Sequence, residues 1–297
     1  MIGIVTVLYN SAPVLKDFFK SLNNQTFKDF ILYVIDNKSS DNSLNEASTL
    51  SKTVSFKCVI LPQEENWGVA KGNNIGIKAA LNDKCCYVLL SNNDIVLEDN
   101  TIEELYLWHI KNKASLSVPK IYYWNTPQII WAAGGFWHLS DCTSRHFGRQ
   151  KPDNNEYGVM KQVEYAPSCF MLVNSDVFER VGYMDENFYV YYDDADFVWR
   201  SIIDGEEKLF YIPTSIVWHK VSFCTGGDSE FGLYYVNRNR IYFAFKHLST
   251  KQKLVLYLYL ISHYLLRDLY RMTKNQRKTI RKGIRDGFKM VKKFEHN

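Results

Sequence analysis

The sequence predicts an α/β fold with a mostly parallel central sheet flanked by helices, followed by a C-terminal helical extension. In the first half of the chain, short and continuously apolar segments alternate with helical patterns. That alternation is typical of strands whose two faces are covered by helices. From residue 231 onward the pattern is helical, and it is rich first in aromatic residues and then in Lys and Arg.

The predicted elements follow one another in a regular order. Strands are predicted at residues 2–9, 30–35, 55–61, 87–90 and 169–173. Helices are predicted at residues 13–25, 41–51, 69–81, 175–181 and 193–204. After Pro119 the chain contains Gly, Asn and Trp without a clear period, so no element is predicted there before residue 169.

Polar side chains follow three of the predicted strands. Tyr9 and Asn10 follow the first strand, Asp36 follows the second, and the segment 92–94 follows the fourth. Ligands of parallel α/β sheets bind beyond the carboxyl ends of the strands. Three polar clusters at equivalent positions therefore predict a binding site along that edge.

Two acidic clusters stand out as candidates for chemistry. One ends at Asp94, and the other contains Asp193, Asp194 and Asp196. Carboxylate oxygens suit a hard divalent cation or a general base. The alternative for the second cluster is that its acids complement the dipole at the start of the predicted helix.

Composition bounds the architecture. With 297 residues, of which 46% are hydrophobic, the chain can form one large domain or a domain with an appendage. The net charge of +4 is uneven, because residues 267–297 carry eleven Lys or Arg and only three Asp or Glu. A basic tail on a mildly acidic body predicts an anionic partner for the tail alone.

Cysteine usage and hydropathy give an expected location. The six cysteines show no C-x-x-C spacing, which favours reduced, buried thiols in a cytosolic protein. Met1 leads directly into a predicted strand, and no apolar run reaches the roughly 18 residues of a spanning helix. We therefore expect a cytoplasmic protein, peripheral on the inner face of the plasma membrane if its tail binds lipid.

A series of motifs resembles one known family in order and spacing. The motifs lie at residues 5–10, 34–41, 66–76, 89–94, 182–186, 191–196, 218–219 and 237–240. In these motifs the chain is similar to family 2 glycosyltransferases of the GT-A fold, in the style of bacterial rhamnosyltransferase-like members. The resemblance implies a catalytic domain at 1–230, with a donor half at about 1–118 and an acceptor half at about 119–230. Residues 231–297 would then form a helical region with a basic amphipathic tail.

The resemblance assigns a set of donor contacts. Asp36 would accept the ring N–H of uracil or thymine, since an ionised carboxylate only accepts; its alternative is an Asx turn. Lys71 would reach a phosphate or else be a solvated helix lysine. The remaining expected contacts to the nucleotide sugar are Tyr9, Asn10, Asn66, Asn74, Asn92 and Asn93.

The resemblance also implies a metal ion, Mn²⁺ or Mg²⁺. Asp94 occupies the last position of the family's D-x-D-type motif, whereas the first position holds Asn92. With a single carboxylate, the cation would depend more on diphosphate oxygens and water. His219 matches a later histidine that completes the metal sphere in some relatives; the alternative is a packing role beside Trp218.

The implied reaction is an inverting transfer by single displacement. Asp194 would be the general base and Asp193 its helper, although the family usually has Glu at the position of Asp193. The donor would be a UDP- or dTDP-sugar, and the acceptor a hydroxyl of a saccharide or lipid-linked saccharide. The expected context is bacterial surface polysaccharide assembly, such as lipopolysaccharide or capsule. Trp124, Trp131 and Trp137 would line the acceptor side or belong to the core.

The C-terminal segment predicts a basic amphipathic helix. Ile280, Ile284, Phe288 and Val291 recur at helical spacing, with Lys and Arg on the other faces. The apolar stripe would lie on an anionic membrane or pack against the catalytic domain. Nucleic-acid binding is a third use of such a helix, but no motif accompanies it.

Two other functions fit parts of the sequence. A sugar nucleotidyltransferase shares the fold class and the metal, but it normally has a glycine-rich phosphate loop where this chain has 9-YNSAP-13. A catalytically idle binding protein would explain the departures at Asn92 and Asp193. Slow donor hydrolysis with Mn²⁺ or Mg²⁺ would distinguish an enzyme from the idle protein.

Overall fold

The computed structural model describes residues 1–220, 229–266 and 272–295. The chain forms two compact units. We call residues 1–136, 146–189 and 193–224 the sheet unit, and residues 137–145, 190–192 and 225–297 the helical unit.

The first half of the sheet is parallel. Its strands are β1 (Ile2–Leu8), β2 (Phe30–Asp36), β3 (Lys57–Pro62) and β4 (Tyr87–Ser91). β1 pairs in parallel with β2 and β4, and β2 pairs in parallel with β3. The carboxyl ends of all four strands therefore share one edge, as the sequence predicted. The α/β class is confirmed, and the description of a mostly parallel sheet applies to this half.

The second half of the sheet is mainly antiparallel. The strands after β4 are β5 (Ile95–Leu97), β6 (Leu116–Tyr123), β7 (Thr126–Ala132), β8 (Gly135–His138), β9 (Thr143–His146), β10 (Lys151–Pro152), β11 (Lys161–Gln162), β12 (Phe170–Asn174) and β13 (Leu209–His219). β12 pairs antiparallel with β4 and β6, whereas β13 runs parallel to β6 and antiparallel to β5. β8 and β9 form a separate two-stranded sheet.

Several of these strands lie where no element was predicted. β7 begins with the exposed residues Thr126, Pro127 and Gln128, so it lacks the apolar alternation that identifies a strand. β10 and β11 are two residues long. These strands depend on pairing with their neighbours rather than on their own composition.

The helices of the sheet unit cover the faces of the sheet. In α1 the predicted apolar positions, including Phe18 and Leu22, are buried. The helix at Asp193 ends in a π-helical turn, Arg200–Asp204. The helices are α1 (Ala12–Asn23), α2 (Ser43–Leu50), α3 (Gly68–Asn82), α4 (Thr101–Lys111), α5 (Val177–Arg180) and α6 (Asp193–Trp199).

Two glycines let α3 lie close to the sheet. A Cβ at Gly76 would come within 2.3 Å of Val5 Cγ1 and 2.6 Å of Ile35 Cδ1. A Cβ at Gly72 would come within 2.8 Å of Val7 Cγ1. The glycine repeat in this helix therefore serves helix–sheet packing, and it places the start of α3 beside the ends of β1 and β2.

The helical unit contains α7 (Glu230–His247), α8 (Thr250–Leu266) and α9 (Lys274–Glu295). Ile280 and Val291 of α9 are buried. At Gly283 and Gly287 an added Cβ would lie 2.6 Å from backbone carbonyl oxygens of α7. The predicted apolar stripe of α9 thus packs on α7, within the helical unit. Among the described residues, no helix is long and apolar enough to cross a membrane.

The cysteines are less uniformly buried than predicted. Cys85, Cys142 and Cys169 are buried, but Cys58 is half-buried and Cys86 is exposed; all five are free thiols. Cys86 is the residue before β4, where the chain is still at the surface. The sixth, Cys224, lies outside the described residues.

Replacing Gly76 by Ala tests the contact between α3 and the sheet. The methyl group would overlap Val5 and Ile35, and such overpacking costs about 1–3 kcal/mol of unfolding free energy. Urea denaturation followed by circular dichroism measures the change. Gly158→Ala is the matched control, because nothing lies within 4 Å of a Cβ there. Equal stability of the two variants would contradict this account.

Candidate functional site

Asp36 ends β2 with one carboxylate oxygen used and the other unpaired. Its Oδ2 accepts the backbone N–H of Ser39 at 3.2 Å, which is the Asx turn anticipated as the alternative role. Its Oδ1 is buried and has no hydrogen-bond partner among the described residues. A buried acceptor without a donor is costly, so this atom is suited to an N–H group supplied by a ligand. The Asx turn uses Oδ2 and a ligand N–H would use Oδ1, so the two roles of Asp36 are compatible.

The chain beside Asp36 joins the start of α3 to the same edge. Asn37 Nδ2 donates to the carbonyl oxygen of Gly68 at 2.9 Å, and Asn37 Oδ1 is buried without a partner in the described part of the chain. Asn66 Oδ1 accepts the backbone N–H of Gly68 at 3.0 Å. Lys71 places its Nζ 3.2 Å from the centroid of the Trp67 ring. Asn66 and Lys71 thus lie at the start of α3, next to the end of β2.

Three predicted donor contacts use their amides to hold loops. Asn10 Oδ1 accepts the N–H of Ser40 at 2.8 Å, and Asn93 Nδ2 donates to the Val7 carbonyl at 2.7 Å. Asn74 both donates to the Met184 carbonyl and accepts the Met184 N–H, at 2.9 and 3.0 Å. These side chains shape the edge of the sheet. By contrast, Tyr9 is 44% exposed at the same edge.

Asp94 and His219 form a buried pair, although 125 positions separate them in sequence. His219 Nε2 lies 3.1 Å from Asp94 Oδ1. Antiparallel pairing of β13 with β5 brings the two residues together, because His219 pairs with Ile95. Burial raises the pKa of Asp94, but the hydrogen bond and charge of His219, with the Asn92 amide, outweigh it and lower the pKa below its usual value.

The donor set of this pair fits a divalent cation. A carboxylate and an imidazole are both ligands that Mn²⁺ accepts. His219 Nδ1 is buried without a partner in the described residues, so the Asp94 contact is the one hydrogen bond that orients the ring. No group of three potential side-chain ligands occurs in the described ranges. A cation held by this pair would therefore need further ligands that are not side chains of the described residues, such as water.

Asp194 is held at the start of α6 by hydrogen bonds to both carboxylate oxygens. Tyr165 Oη donates to Asp194 Oδ2 at 3.0 Å, and the backbone N–H of Ala195 donates to Oδ1 at 2.7 Å. Burial still outweighs these donors, so the pKa of Asp194 is raised above its usual value. A raised pKa suits a carboxylate that accepts a proton during a reaction.

The neighbouring acids have different surroundings. Asp193 is 5% exposed, and burial, followed by the charge of Asp194, raises its pKa. Asp196 is fully buried and accepts Arg200 Nε at 2.8 Å. Arg200 in turn donates to the carbonyl oxygens of Val181 and Tyr183, at 2.7 Å each. Asp196 therefore anchors α6 through Arg200, which is more than the favourable interaction with the helix dipole that was the alternative role of these acids.

One short segment, residues 165–169, contacts both acidic clusters. The carbonyl oxygen of Cys169 accepts the N–H of Asn92 at 2.8 Å, and the Tyr165 hydroxyl donates to Asp194. Burial raises the pKa of Cys169 well above its usual value, and the charges of Asp94 and Asp194 raise it further. Residues 165–169 thus contact the loop of Asp94 on one side and the start of α6 on the other.

An aromatic cluster completes the connection between the two aspartates. The Trp131 ring lies edge-to-face against both His219 and His146, with centroids 4.7 and 4.8 Å apart. His146 stacks on Tyr165 at 5.9 Å, and burial lowers the pKa of His146 to about 4. The sequence did not point to Tyr165 or His146, because neither belongs to a motif.

The three tryptophans considered for an acceptor site have different positions. Trp131 belongs to the aromatic cluster beside His219. Trp124 is 42% exposed, with Lys220 Nζ 5.2 Å from its ring centroid. Trp137 stacks on Phe243 in the helical unit, with ring centroids 5.7 Å apart. Trp124 and Trp131 therefore stay candidates within the sheet unit.

Solved structures share this fold. A complex of Staphylococcus aureus TarS (residues 1–349) with UDP-GlcNAc aligns with a TM-score of 0.59, covering 98% of this chain and 81% of that chain at 15% identity. GalNAc-T7 with UDP, GalNAc and Mn²⁺ aligns with a TM-score of 0.69, covering 99% of this chain and 56% of that one at 15% identity. At these identities the likeness establishes the fold, which is the predicted GT-A arrangement.

Sequence comparison identifies the family. The low-salt glycan biosynthesis hexosyltransferase Agl10 of Haloferax volcanii is 26% identical over 210 residues, which are 67% of this chain. The chain spans 61% of that relative's length. The family model described as "Glycosyl transferase family 2" matches residues 3–182, which include Asp36, Asn66 and Asp94. The chain therefore belongs to glycosyl transferase family 2.

Proposed function

We propose that this protein is an inverting, metal-dependent glycosyltransferase that moves a sugar from a UDP- or dTDP-sugar to a hydroxyl group. The observation that carries the proposal is that one short segment, residues 165–169, contacts both acidic clusters: the Cys169 carbonyl oxygen accepts the N–H of Asn92, two residues before Asp94, and the Tyr165 hydroxyl donates to Asp194. A carboxylate for the cation and a carboxylate for the acceptor are thereby available in one region. Membership of the family supports the reaction class.

Asp36 provides the proposed recognition of the donor base. Its unpaired, buried Oδ1 would accept the N3–H of uracil or thymine, which is a donor in the neutral base. Both bases carry this group, so the contact selects a pyrimidine with a ring N–H. The bound UDP and UDP-GlcNAc of the solved TarS structure support the choice of a uridine donor by analogy.

Around Asp36, the start of α3 and the exposed Tyr9 would enclose the nucleoside. Asn66 and Lys71 lie at the start of α3, where Lys71 reaches a phosphate if it leaves the Trp67 ring. Asn10, Asn74 and Asn93 would act through the loops that their amides hold. The donor half is proposed at about residues 1–118, within a catalytic domain at 1–230.

Asp94 and His219 would hold a Mn²⁺ or Mg²⁺ ion together with the diphosphate. When bound, the cation supplies positive charge that stabilises the departing nucleoside diphosphate. The Mn²⁺ and UDP bound to GalNAc-T7 support this assignment by analogy. Asn92, whose side-chain amide helps to lower the pKa of Asp94, would orient the carboxylate.

Asp194 would act as the general base. As the acceptor oxygen attacks the anomeric carbon, Asp194 takes the hydroxyl proton, and the bond from that carbon to the diphosphate oxygen breaks. The nucleoside diphosphate leaves with the bonding electron pair, so the configuration at the anomeric carbon inverts. Asp193, with its raised pKa, would be the neighbouring acid that tunes Asp194.

The acceptor is proposed to be a saccharide or lipid-linked saccharide bound by the acceptor half, about residues 119–230. Trp124 and Trp131 offer aromatic faces in that half. We propose a cytoplasmic role in surface glycan assembly, which the glycan biosynthesis named for the Haloferax volcanii relative supports by analogy. The rhamnosyl subtype stays a prediction.

Replacing Asp194 by Asn should lower the transfer rate by about 10²–10⁴, because the amide cannot accept the proton. A panel of UDP- and dTDP-sugars is first screened for binding by thermal shift, and nucleoside diphosphate release is then measured with the donor that binds. Donor binding should persist in the variant. Asp176→Asn is the control and should keep full activity, because this residue precedes α5 and its side chain is 58% exposed. Full activity of Asp194→Asn would overturn the assignment of the base.

Replacing Tyr165 by Phe should shift the pH dependence of kcat/KM. The hydrogen bond from Tyr165 lowers the pKa of Asp194, so its loss raises that pKa further. The base is active when ionised, so the ascending limb of the pH profile should move to higher pH by about one unit. Tyr183→Phe is the control, because Tyr183 is 38% exposed, and it should leave the pH profile unchanged. An unmoved limb would mean that Tyr165 has only a packing role.

Replacing Asp94 by Asn should weaken Mn²⁺ binding in the presence of UDP by about tenfold or more. The loss of free-ion signal in electron paramagnetic resonance measures binding without any turnover. Asp99→Asn, an exposed residue near the start of α4, is the matched control. Identical Mn²⁺ titrations of the Asp94 variant and the native protein would exclude Asp94 as a ligand.

A further inference from the structure

The outer face of α8 carries an exposed aliphatic ridge. Leu254, Leu258 and Ile261 are 60%, 61% and 55% exposed, and they lie one turn apart along one side of the helix. Leu256 and Leu260, on the opposite side, are 3% and 7% exposed. The buried side already accounts for the packing of α8. The ridge is therefore additional apolar surface that the fold of this helix does not require.

The outer face of α9 is strongly basic. Between residues 278 and 292 the one acidic residue is Asp286, which is partly buried and accepts a hydrogen bond from Tyr234. The apolar stripe of this helix packs on α7 and is not available to a partner. The exposed basic side chains of this stretch are Lys278, Arg281, Lys282, Arg285, Lys289 and Lys292.

The ridge and the basic face belong to neighbouring helices. Tyr257 of α8 stacks on Phe288 of α9, with centroids 6.2 Å apart, and both rings contact Phe245 of α7. Successive residues of an α-helix lie about 100° apart around its axis, so the ridge lies beside Tyr257 on the surface of α8. The basic face likewise begins next to the Phe288 side of α9. The two faces therefore border the same line of contact, although Lys282 at the edge of the basic face places its Nζ 5.4 Å from the ring centroid of Tyr234 in α7.

We propose that this surface of the helical unit, the α8 ridge with the α9 basic face, docks on a bilayer that contains anionic lipids. Aliphatic side chains enter the headgroup boundary, and lysines and arginines bind the anionic headgroups. The sequence left open whether the apolar stripe of α9 lies on a membrane or packs within the protein. The structure packs that stripe on α7, so the apolar part of the proposed surface comes from α8. The proposal concerns location and is independent of the transfer reaction.

Charge favours a bilayer over the other occupants of such a surface. In a symmetric dimer, the same patch of each copy would meet its counterpart, which sets the two basic faces against each other. A nucleic acid would use the basic face and leave the aliphatic ridge in water. An anionic bilayer satisfies both the charge and the apolar side chains.

The test is flotation of the full-length protein with phosphatidylcholine vesicles, with and without about 30% of the anionic lipid phosphatidylglycerol. The native protein should bind only the anionic vesicles, and less at high salt, since salt screens the charges. Leu254→Ser/Leu258→Ser/Ile261→Ser should weaken partitioning by about tenfold or more. Lys278→Glu/Lys292→Glu should weaken it by a similar factor.

Matched controls separate this surface from general exposure and charge. Leu107→Ser/Ile110→Ser/Val159→Ser replaces aliphatic residues of the sheet unit that are 55%, 45% and 64% exposed. Lys16→Glu/Lys52→Glu changes the same net charge on exposed helix and turn positions. Both controls should bind vesicles as the native protein does, and circular dichroism melting should be unchanged in all four variants.

Three outcomes would overturn the proposal. One is equal partitioning of the ridge variant and the native protein. Another is concentration-dependent dimerisation in sedimentation that the ridge variant abolishes, with no vesicle binding. The third is tight binding of single-stranded RNA by the basic face that the ridge variant leaves intact, again without vesicle binding. Loss of donor turnover, in contrast, would bear on the proposed function alone.

Discussion

The site depends on a short segment, residues 165–169, that contacts two distant parts of the chain. The carbonyl oxygen of Cys169 accepts the N–H of Asn92 in the loop that contains Asp94, and the Tyr165 hydroxyl donates to Asp194 at the start of α6. β12 begins directly after this segment and pairs antiparallel with β4, which fixes its position. Without that pairing, the two aspartates would have no common neighbour.

The electrostatics of the site follow from what surrounds each carboxylate. Asp94 has a direct partner in His219, so its pKa is lowered despite burial, and it is an anion suited to a cation. Asp194 has only neutral donors, and burial outweighs them, so its pKa is raised and it is suited to accept a proton. Two aspartates of the same chemistry thus have pKa values shifted in opposite directions by their surroundings.

The close packing of α3 and the positions of polar groups are linked at the carboxyl ends of β1 and β2. Gly72 and Gly76 bring α3 against β1 and β2. This approach puts the carbonyl of Gly68 within reach of Asn37 and leaves the buried Asp36 Oδ1 unpaired beside it. Because the helix and strands pack so closely, Asp36 Oδ1 and Asn37 Oδ1 find no hydrogen-bond donor in the described part of the chain. These oxygens can therefore accept hydrogen bonds from a ligand.

The sequence by itself determined the parallel half of the sheet, the helix faces and the polar strand ends, because these depend on local period and on motifs within a few residues. It also selected Asp36, Asp94 and Asp194 as candidate site residues, and their roles stay predictions. Tertiary structure alone decided that Asp94 pairs with His219, that Tyr165 orients Asp194, and that the α9 stripe packs on α7. Those outcomes depend on antiparallel strands and helix contacts between residues far apart in sequence, and no local pattern encodes such pairings.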